Sequence, residues 1–395
     1  MIADDLVFRK STALRIAVVT ETYPPEVNGV AMTLGRLVEA LRRRGHFVQL
    51  IRPRQGNSDH AASGEQFEEV LKPGIPVPRY DGLRLGLPDK RGLIRLWTRS
   101  RPDIVHIATE GPLGWSALTA AAKLKLPVSS GFHTNFHSYS KHYGMGFLKK
   151  PITAYLCNFH NRALATLVPT EGLRHELASR GFRNLHVVSR GVDTRLFSPS
   201  RRSLELRRTW GAGEHGIVAM YVGRMAAEKN LPLAVSAFMA MQQRNPRVQL
   251  VMVGDGPSRP SLANRNPNVV FAGTRSGEDL ATHYASADVF LFPSMTETFG
   301  NVTLEAMASG LAVVAYEYAA ARQCMVHEES GLLAPFGDAR AFLGMAVGLM
   351  EDSSRMLRLR LRARAVAQSI NWESVIDRFE SVLHEVIQRQ QAALV

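Results

Sequence analysis

Two cations and two carboxylates in the second half of this 395-residue sequence are spaced as chemistry would need them. Gly223-Arg224-Met225-Ala226-Ala227-Glu228-Lys229-Asn230 follows the apolar run Ile217 to Val222, which places Arg224 and Lys229 on a strand-to-helix turn. Two cations there suit a diphosphate, or, taken alone, form a solvated surface pair. No D-x-D is present to hold a divalent ion. Further on, Glu297-Thr298-Phe299-Gly300-Asn301-Val302-Thr303-Leu304-Glu305 puts one carboxylate on a loop and another in the first turns of a helix that stops at Gly310. Carboxylates accept from adjacent hydroxyls, so the pair suits a sugar ring and a ribose, with the Phe299-Gly300-Asn301 backbone between them. Glu305 is also readable as a first-turn dipole residue. In the first half, the turn-rich segment Thr20 to Val30 feeds a helix whose start, Gly29, lets backbone amides approach an anion; the alternative is a plain loop with an Asn28 cap. G-x-G-x-x-G is missing from it.

The elements that must position these residues are short β-branched runs alternating with helical periodicity. Arg15 to Thr20, Phe47 to Ile51, Ile104 to Ile107, Leu167 to Pro169 and His186 to Ser189 predict buried parallel strands. Val30, Leu34, Leu37, Val38 and Leu41 line one face of the helix between the first two. After the basic connection SPSRRSLELRRTW the pattern restarts with Ile217 to Val222, Val248 to Val253, Val269 to Ala272, Val289 to Phe292 and Ala312 to Ala315. The pattern predicts two doubly wound α/β domains, residues 1–197 and 198–371, then an amphipathic helix within 372–395 that spans Trp372 to Gln391.

Composition narrows the classes. Two cysteines, Cys157 and Cys324, support no disulfide framework and suit a reducing compartment. No apolar run is long enough to span a membrane, and the N-terminus lacks a signal-peptide layout. Residues 1–200 hold 28 basic and 16 acidic side chains, a net +12, whereas residues 201–395 hold 20 and 19. Arg42-Arg43-Arg44, Arg52, Arg54, Lys90, Arg91, Arg95, Arg99, Arg101 and Lys149-Lys150 therefore read as a face for an anionic membrane, or as a solvated surface. Gly144 to Pro151 mixes apolar and cationic residues as an interfacial contact would. The absence of RNP, homeodomain and zinc-finger patterns argues against nucleic acid. His133, His137 and His142 have no acidic companion and no H-E-x-x-H, so a metal site is not expected.

ETYPPEVNGVAMTL, GFHTNFHSYSKHYG, VPTEGLRHEL, SRGVDTRLF, YVGRMAAEKNL, MVGDGP, YASADVFLFPS and TETFGNVTLEAMASGLAVVA, in this order, resemble glycosyltransferase family 4, of the GT-B fold. TETFGN, HTNF and YPPEVNGVA are similar to the subgroup of sulfoquinovosyl-diacylglycerol synthases, GDP-mannose-dependent α-mannosyltransferases and bacterial glycolipid synthases. The resemblance implies that Arg224 and Lys229, after Gly223, bind a donor diphosphate that Gly29 meets from the other domain. It assigns Glu297 and the amides of Phe299, Gly300 and Asn301 to the donor sugar, Glu305 to the ribose, and Thr274 and Arg275 to the neighbourhood of the base. His133 matches a histidine near the reacting sugar. Asp255 and Asp193 are expected to hold turns. The implied activity is retaining, metal-independent transfer of a hexosyl group from GDP-mannose or a UDP-hexose, without a cofactor, to a membrane lipid such as a diacylglycerol or phosphoinositide. The enzyme would lie on the inner face of the cytoplasmic membrane. A soluble or polysaccharide acceptor, or a GT-B epimerase or phosphorylase, is the alternative; oligomeric state stays open.

Overall fold

The structure, a computed structural model, describes residues 13–26, 28–77, 84–133 and 149–393. Continuous apolar runs become strands covered on both faces, as parallel sheets require. The first sheet runs in the order Leu185–Val187, Ala165–Val168, Val128–Gly131, Ile104–Ile107, Arg15–Val19, Phe47–Pro53, Phe67–Lys72 and Ser63–Gly64, with only the last pair antiparallel. Its strand order reverses between Arg15–Val19 and Ile104–Ile107. The second sheet is wholly parallel: Val270–Gly273, Val248–Val253, Ile217–Val222, Val289–Phe292, Ala312–Tyr316 and Leu332–Ala334. Its order reverses between Ile217–Val222 and Val289–Phe292, which pair at Met220 and Phe290.

All ten predicted strands are present, with ends moved by up to two residues. Those the sequence pattern did not reveal are polar or very short. Phe67–Lys72 carries two glutamates near a sheet edge, and Gly74–Pro76 with Arg84–Gly86 forms a small hairpin. Val128–Gly131 buries Ser129 and Ser130 because His106 and His160 supply hydrogen-bond partners at 3.0 and 2.9 Å.

Asp288 anchors the second domain. Its carboxylate meets Arg202, Arg207 and Arg360 at 2.8, 2.9 and 3.2 Å and accepts the Val218 amide at 2.9 Å. Burial alone would raise its pKa, but the three guanidiniums and that amide hold it below the usual range. Arg207 is fully buried and also donates to the carbonyls of Gly213, Gly216 and Ser286.

The chain leaves the first domain after Val188, since Val192 and Phe197 already pack in the second core. It crosses back where the Val192 amide donates to the Ile370 carbonyl at 3.2 Å. Helix Trp372–Ala392 then buries Val375, Ile376, Phe379, Val382, Leu383 and Val386 in the first domain's core. Arg44 binds Glu373, Asp377 and Glu380 of that helix at 2.7, 2.7 and 2.5 Å, and His46 binds Glu380 at 2.7 Å. Two members of the expected basic face are thereby reassigned: Arg44 is a clamp on the terminal helix, and buried Arg52 is held by Asp59 and Glu69, both at 2.6 Å. On the other side, beside the Arg36–Asp193 ion pair at 2.9 Å, the described contacts between the domains include neutral groups. The Gln323 amide donates to the Ser189 hydroxyl at 2.9 Å and its oxygen accepts the Glu171 amide at 3.1 Å.

Phe379, 2% exposed, meets the His106 ring edge-on at 5.0 Å. Phe379→Ala is expected to destabilise the protein by about 3 to 5 kcal/mol, the cost of a large aromatic removed from a packed core. A lower urea midpoint with an unchanged slope would show this; an unchanged midpoint would mean the terminal helix contributes nothing to the first core.

Candidate active site

The site grows from the carboxyl ends of Ile217–Val222 and Val289–Phe292, the crevice that a strand-order reversal opens in a parallel sheet. Gly223 ends the first strand, its amide donating to the Val253 carbonyl at 3.0 Å. The Arg224 guanidinium lies 3.8 Å from the carboxylate of Glu228, which is buried. A single turn of 3-10 helix, Ala227–Lys229, closed by Asn230 in the left-handed region, then sends Lys229 across to the second strand's loop. Its ammonium donates to Glu297 Oε1 at 2.5 Å and to the Thr296 carbonyl at 3.3 Å. The Ser294 hydroxyl donates to the same carboxylate oxygen at 2.6 Å, and Tyr318 donates to the Glu297 carbonyl at 3.0 Å. Lys229 and Glu297 thus form one cluster whose charges cancel.

Past Glu297 the chain turns at Gly300 with φ +94, which glycine adopts without a Cβ clash, into helix Asn301–Ala308. The amides of Phe299, Gly300 and Asn301 donate to no other described residue. They form an electropositive rim beside Glu297. Glu305 lies one turn deeper and accepts from the Tyr284 hydroxyl at 3.0 Å. Burial pushes its carboxyl up from 4.5 to about 7, with the tyrosine bond opposing the rise. The two glutamates are therefore electrically different: one is paired with an ammonium, the other has a phenol alone.

Helix Gly29–Arg43 faces this cluster from the first domain. Asn28 caps it, accepting the amides of Val30 and Ala31 at 3.1 and 2.9 Å, while the Gly29 amide donates to no described residue. A Cβ on Gly29 would stand 3.7 Å from Asn301 Nδ2, so two helix N-termini confront one another across the cleft. His133 also reaches the second domain, its carbonyl accepting the Thr298 hydroxyl at 2.9 Å. Its ring turns the other way: Arg190 donates to Nδ1 at 2.8 Å, which leaves the proton on Nε2, a buried atom with no partner among the described residues. Burial first, then Arg190, His106 and His160, keep this imidazole neutral by lowering its pKa well below the usual value. Arg190 is itself buried, which lowers its pKa to about 10.

The remaining candidates bond within their own loops or hold turns. Thr274 is exposed, and Arg275 donates to the Ala272 carbonyl at 2.7 Å and to Asp279 at 3.2 Å, within its own loop. Asp255 accepts from the Gly256 amide at 2.7 Å and Arg259 at 2.9 Å; Asp193 accepts the amides of Arg195 and Leu196 and binds Arg36 at 2.9 Å. His137 and His142 lie outside the described residues, among which no group of three or more His, Cys, Asp or Glu side chains is set to hold a metal. Sequence reasoning passed over Glu228, Ser294, Tyr284 and Arg190. Glu228 was the most accessible of them, four residues beyond Arg224 on the same turn.

Residues 27–196 match the family model described as Glycosyltransferase Family 4, and residues 216–352 match Glycosyl transferases group 1. A GDP-mannose-dependent alpha-mannosyltransferase of Mycobacterium tuberculosis is 34% identical over 376 residues, covering 92% of this chain and 94% of that protein. A sulfoquinovosyl transferase of Arabidopsis thaliana is 30% identical over 373 residues, covering 91% and 71%. An Anabaena protein solved in complex with UDP and glucose superposes with a TM-score of 0.73 at 19% identity, covering 94% and 99%. The fold is GT-B, as the motifs led one to expect.

Glu305 generates a pH test. The folded protein holds its proton up to about 7 whereas the unfolded chain releases it near 4.5, so this residue's contribution to stability falls as pH rises through that window. Glu305→Gln should therefore gain stability relative to the wild type between pH 5 and pH 8, measured by urea denaturation at both. A difference that does not change with pH would mean that the carboxyl titrates normally.

Proposed function

The chain belongs to glycosyltransferase family 4 and uses a nucleotide sugar to transfer a hexosyl group, and on that premise we propose that it moves mannose from GDP-mannose to a hydroxyl of a membrane lipid. The observation that carries the reading is the Lys229–Glu297 cluster beside three open amides, with the Gly29 helix start opposite. In this reading the diphosphate takes the ammonium of Lys229 and the guanidinium of Arg224, and Glu297 is released to the sugar hydroxyls. Glu305 accepts from the ribose once ionised, and Gly29 and the amides of Phe299, Gly300 and Asn301 complete the anion cradle. The neutral His133 becomes a hydrogen-bond donor to the sugar if its ring turns outward.

The bond from the sugar anomeric carbon to the phosphate oxygen breaks as that carbon bonds the acceptor oxygen on the same face. The acceptor proton passes to a donor phosphate oxygen, so neither an enzymic nucleophile nor a metal is required. GDP-mannose is favoured over a UDP-hexose because relatives at 34%, 34% and 31% identity are all named as GDP-mannose-dependent alpha-mannosyltransferases. The lipid acceptor is supported by the alpha-monoglucosyldiacylglycerol synthases among the relatives.

Arg224→Ala and Lys229→Ala are each expected to remove roughly 2 to 4 kcal/mol of transition-state stabilisation, with activity unaffected by EDTA. In a thermal-shift panel of GDP, UDP and ADP sugars, GDP-mannose at 100 times its Kd should add about 2.7 kcal/mol. Near wild-type rates in either variant, or loss of activity in EDTA, would overturn the metal-free clamp, and stabilisation by a UDP sugar alone would overturn the choice of base.

No helix among the described residues is long and apolar enough to cross a membrane. The proposed membrane contact is peripheral, on the cytoplasmic face, and centres on helix Lys90–Arg99, whose Lys90, Arg91, Arg95 and Arg99 are exposed next to exposed Leu87 and Ile75. Lys150 is exposed as well, while Gly144 to Leu148 lie outside the described residues. Each cation near an anionic bilayer contributes about 1 kcal/mol. Flotation with anionic liposomes should fall with salt and on changing those four helix residues to Gln; binding indifferent to both would remove the membrane part.

A further inference from the structure

The first sheet has its own strand-order reversal, where parallel sheets open a crevice, and two glutamates that the donor reading does not use follow the strands on either side of it. Glu21 follows strand Arg15–Val19 and Glu110 follows strand Ile104–Ile107, the neighbours on either side of the reversal. Glu21 is buried and well supplied: its carboxylate accepts the amides of Gly86 and, at 3.1 Å, Leu113, and its own amide donates to Thr109 Oγ1 at 2.8 Å. A side chain at Gly111 would overlap this carboxylate, so the loop passes that point only as glycine.

Glu110 is the opposite case. It is 5% exposed, yet neither carboxyl oxygen has a hydrogen-bond partner on any other described residue. Its backbone is held firmly, with the Tyr155 hydroxyl donating to its carbonyl at 2.5 Å and the Tyr155 ring stacked on Trp115 at 5.6 Å. A carboxyl retained for structure would be hydrogen-bonded, because leaving it unpaired is destabilising. Burial pushes its pKa up to about 7, with its own backbone amide opposing the rise and Glu21 adding to it.

We propose that Glu110 binds a hydroxyl of the acceptor, so that the first domain's crevice takes an uncharged, hydroxyl-bearing portion of the lipid headgroup. This deepens the transferase reading and rests on it. Two carboxyls side by side repel a phosphate or carboxylate. A hydroxyl is served by either protonation state of Glu110, as donor to the carboxylate or as acceptor from the acid, whereas an ammonium requires the ionised form. The segment that begins at Glu21 ends at Gly29, beside Asn301, so one short stretch of chain links the two glutamates' strand end to the donor cluster.

The test uses the full-length protein with whichever nucleotide sugar stabilises it, and vesicles carrying dioleoylglycerol, glucosyl-dioleoylglycerol or phosphatidylinositol as separate acceptors. E110Q and E110L are compared with the wild type for acceptor KM, donor KM and melting temperature. For the acceptor the wild type prefers, KM should rise tenfold or more in E110L and less in E110Q, whose amide can still bond a hydroxyl, with donor KM within twofold and melting temperature unchanged or higher. An unchanged acceptor KM, whatever happens to melting, overturns the proposal. So does a wild type that hydrolyses donor yet glycosylates none of the three. A protein that binds no nucleotide sugar at all overturns the transferase reading instead.

Discussion

The carboxylate of Asp288 is the interaction on which the donor half depends. It sits at the amino end of strand Val289–Phe292, accepts an amide from the neighbouring strand Ile217–Val222, and gathers Arg202, Arg207 and Arg360 around one buried charge. Those two strands carry Arg224 and Lys229 on one carboxyl end and Ser294 to Glu297 on the other. A slip of one strand past its neighbour would separate Lys229 from Glu297. Removing one partner of such a buried network costs about 3 to 5 kcal/mol, so register is held at the end of the sheet far from the chemistry. The loops at the other end need carry no structural ion pair and keep their amides open.

The cluster built there is balanced before any substrate arrives. Lys229 and Glu297 cancel one another, Arg224 has Glu228 at hand, and His133 is held uncharged by its burial and by Arg190. In the proposed reading an incoming diphosphate takes the place of Glu297 on Lys229, and neutral sugar hydroxyls take the place of Lys229 on Glu297. The exchange is cheaper than desolvating bare charges, because the polar groups are already oriented and already removed from bulk water. Glu305 and Glu110 depart from this pattern, since burial without a cationic partner brings each near half-ionisation at neutral pH.

Both sheets, the terminal helix and the spacing of Glu297 and Glu305 were legible in the sequence because each is local: continuous β-branched runs, one amphipathic stripe, a fixed offset along the chain. Phe67–Lys72 was not, since two glutamates on a half-buried strand erase the apolar signal. Arg44 and Arg52 looked like surface charge because their partners are remote, Glu380 lying 336 residues beyond Arg44. Tyr284 and Ser294 fell inside motifs that carried the family resemblance, yet nothing local says that one meets Glu305 and the other Glu297. The unpaired state of Glu110 is likewise a property of its surroundings alone.

The terminal helix and the cleft contacts fasten the domains by unlike means. Trp372–Ala392 is sealed to the first domain by an apolar stripe and the Arg44 carboxylate clamp, whereas the cleft-side contacts among the described residues include, beside the Arg36–Asp193 ion pair, uncharged ones: Thr298 on the His133 carbonyl and Gln323 with Ser189 and Glu171. Such neutral bonds are each worth about 1 kcal/mol net and are readily exchanged for water. They also carry no charge for mobile ions to screen. The terminal helix is therefore fastened by contacts that resist displacement by water, and the cleft side by contacts that exchange with it.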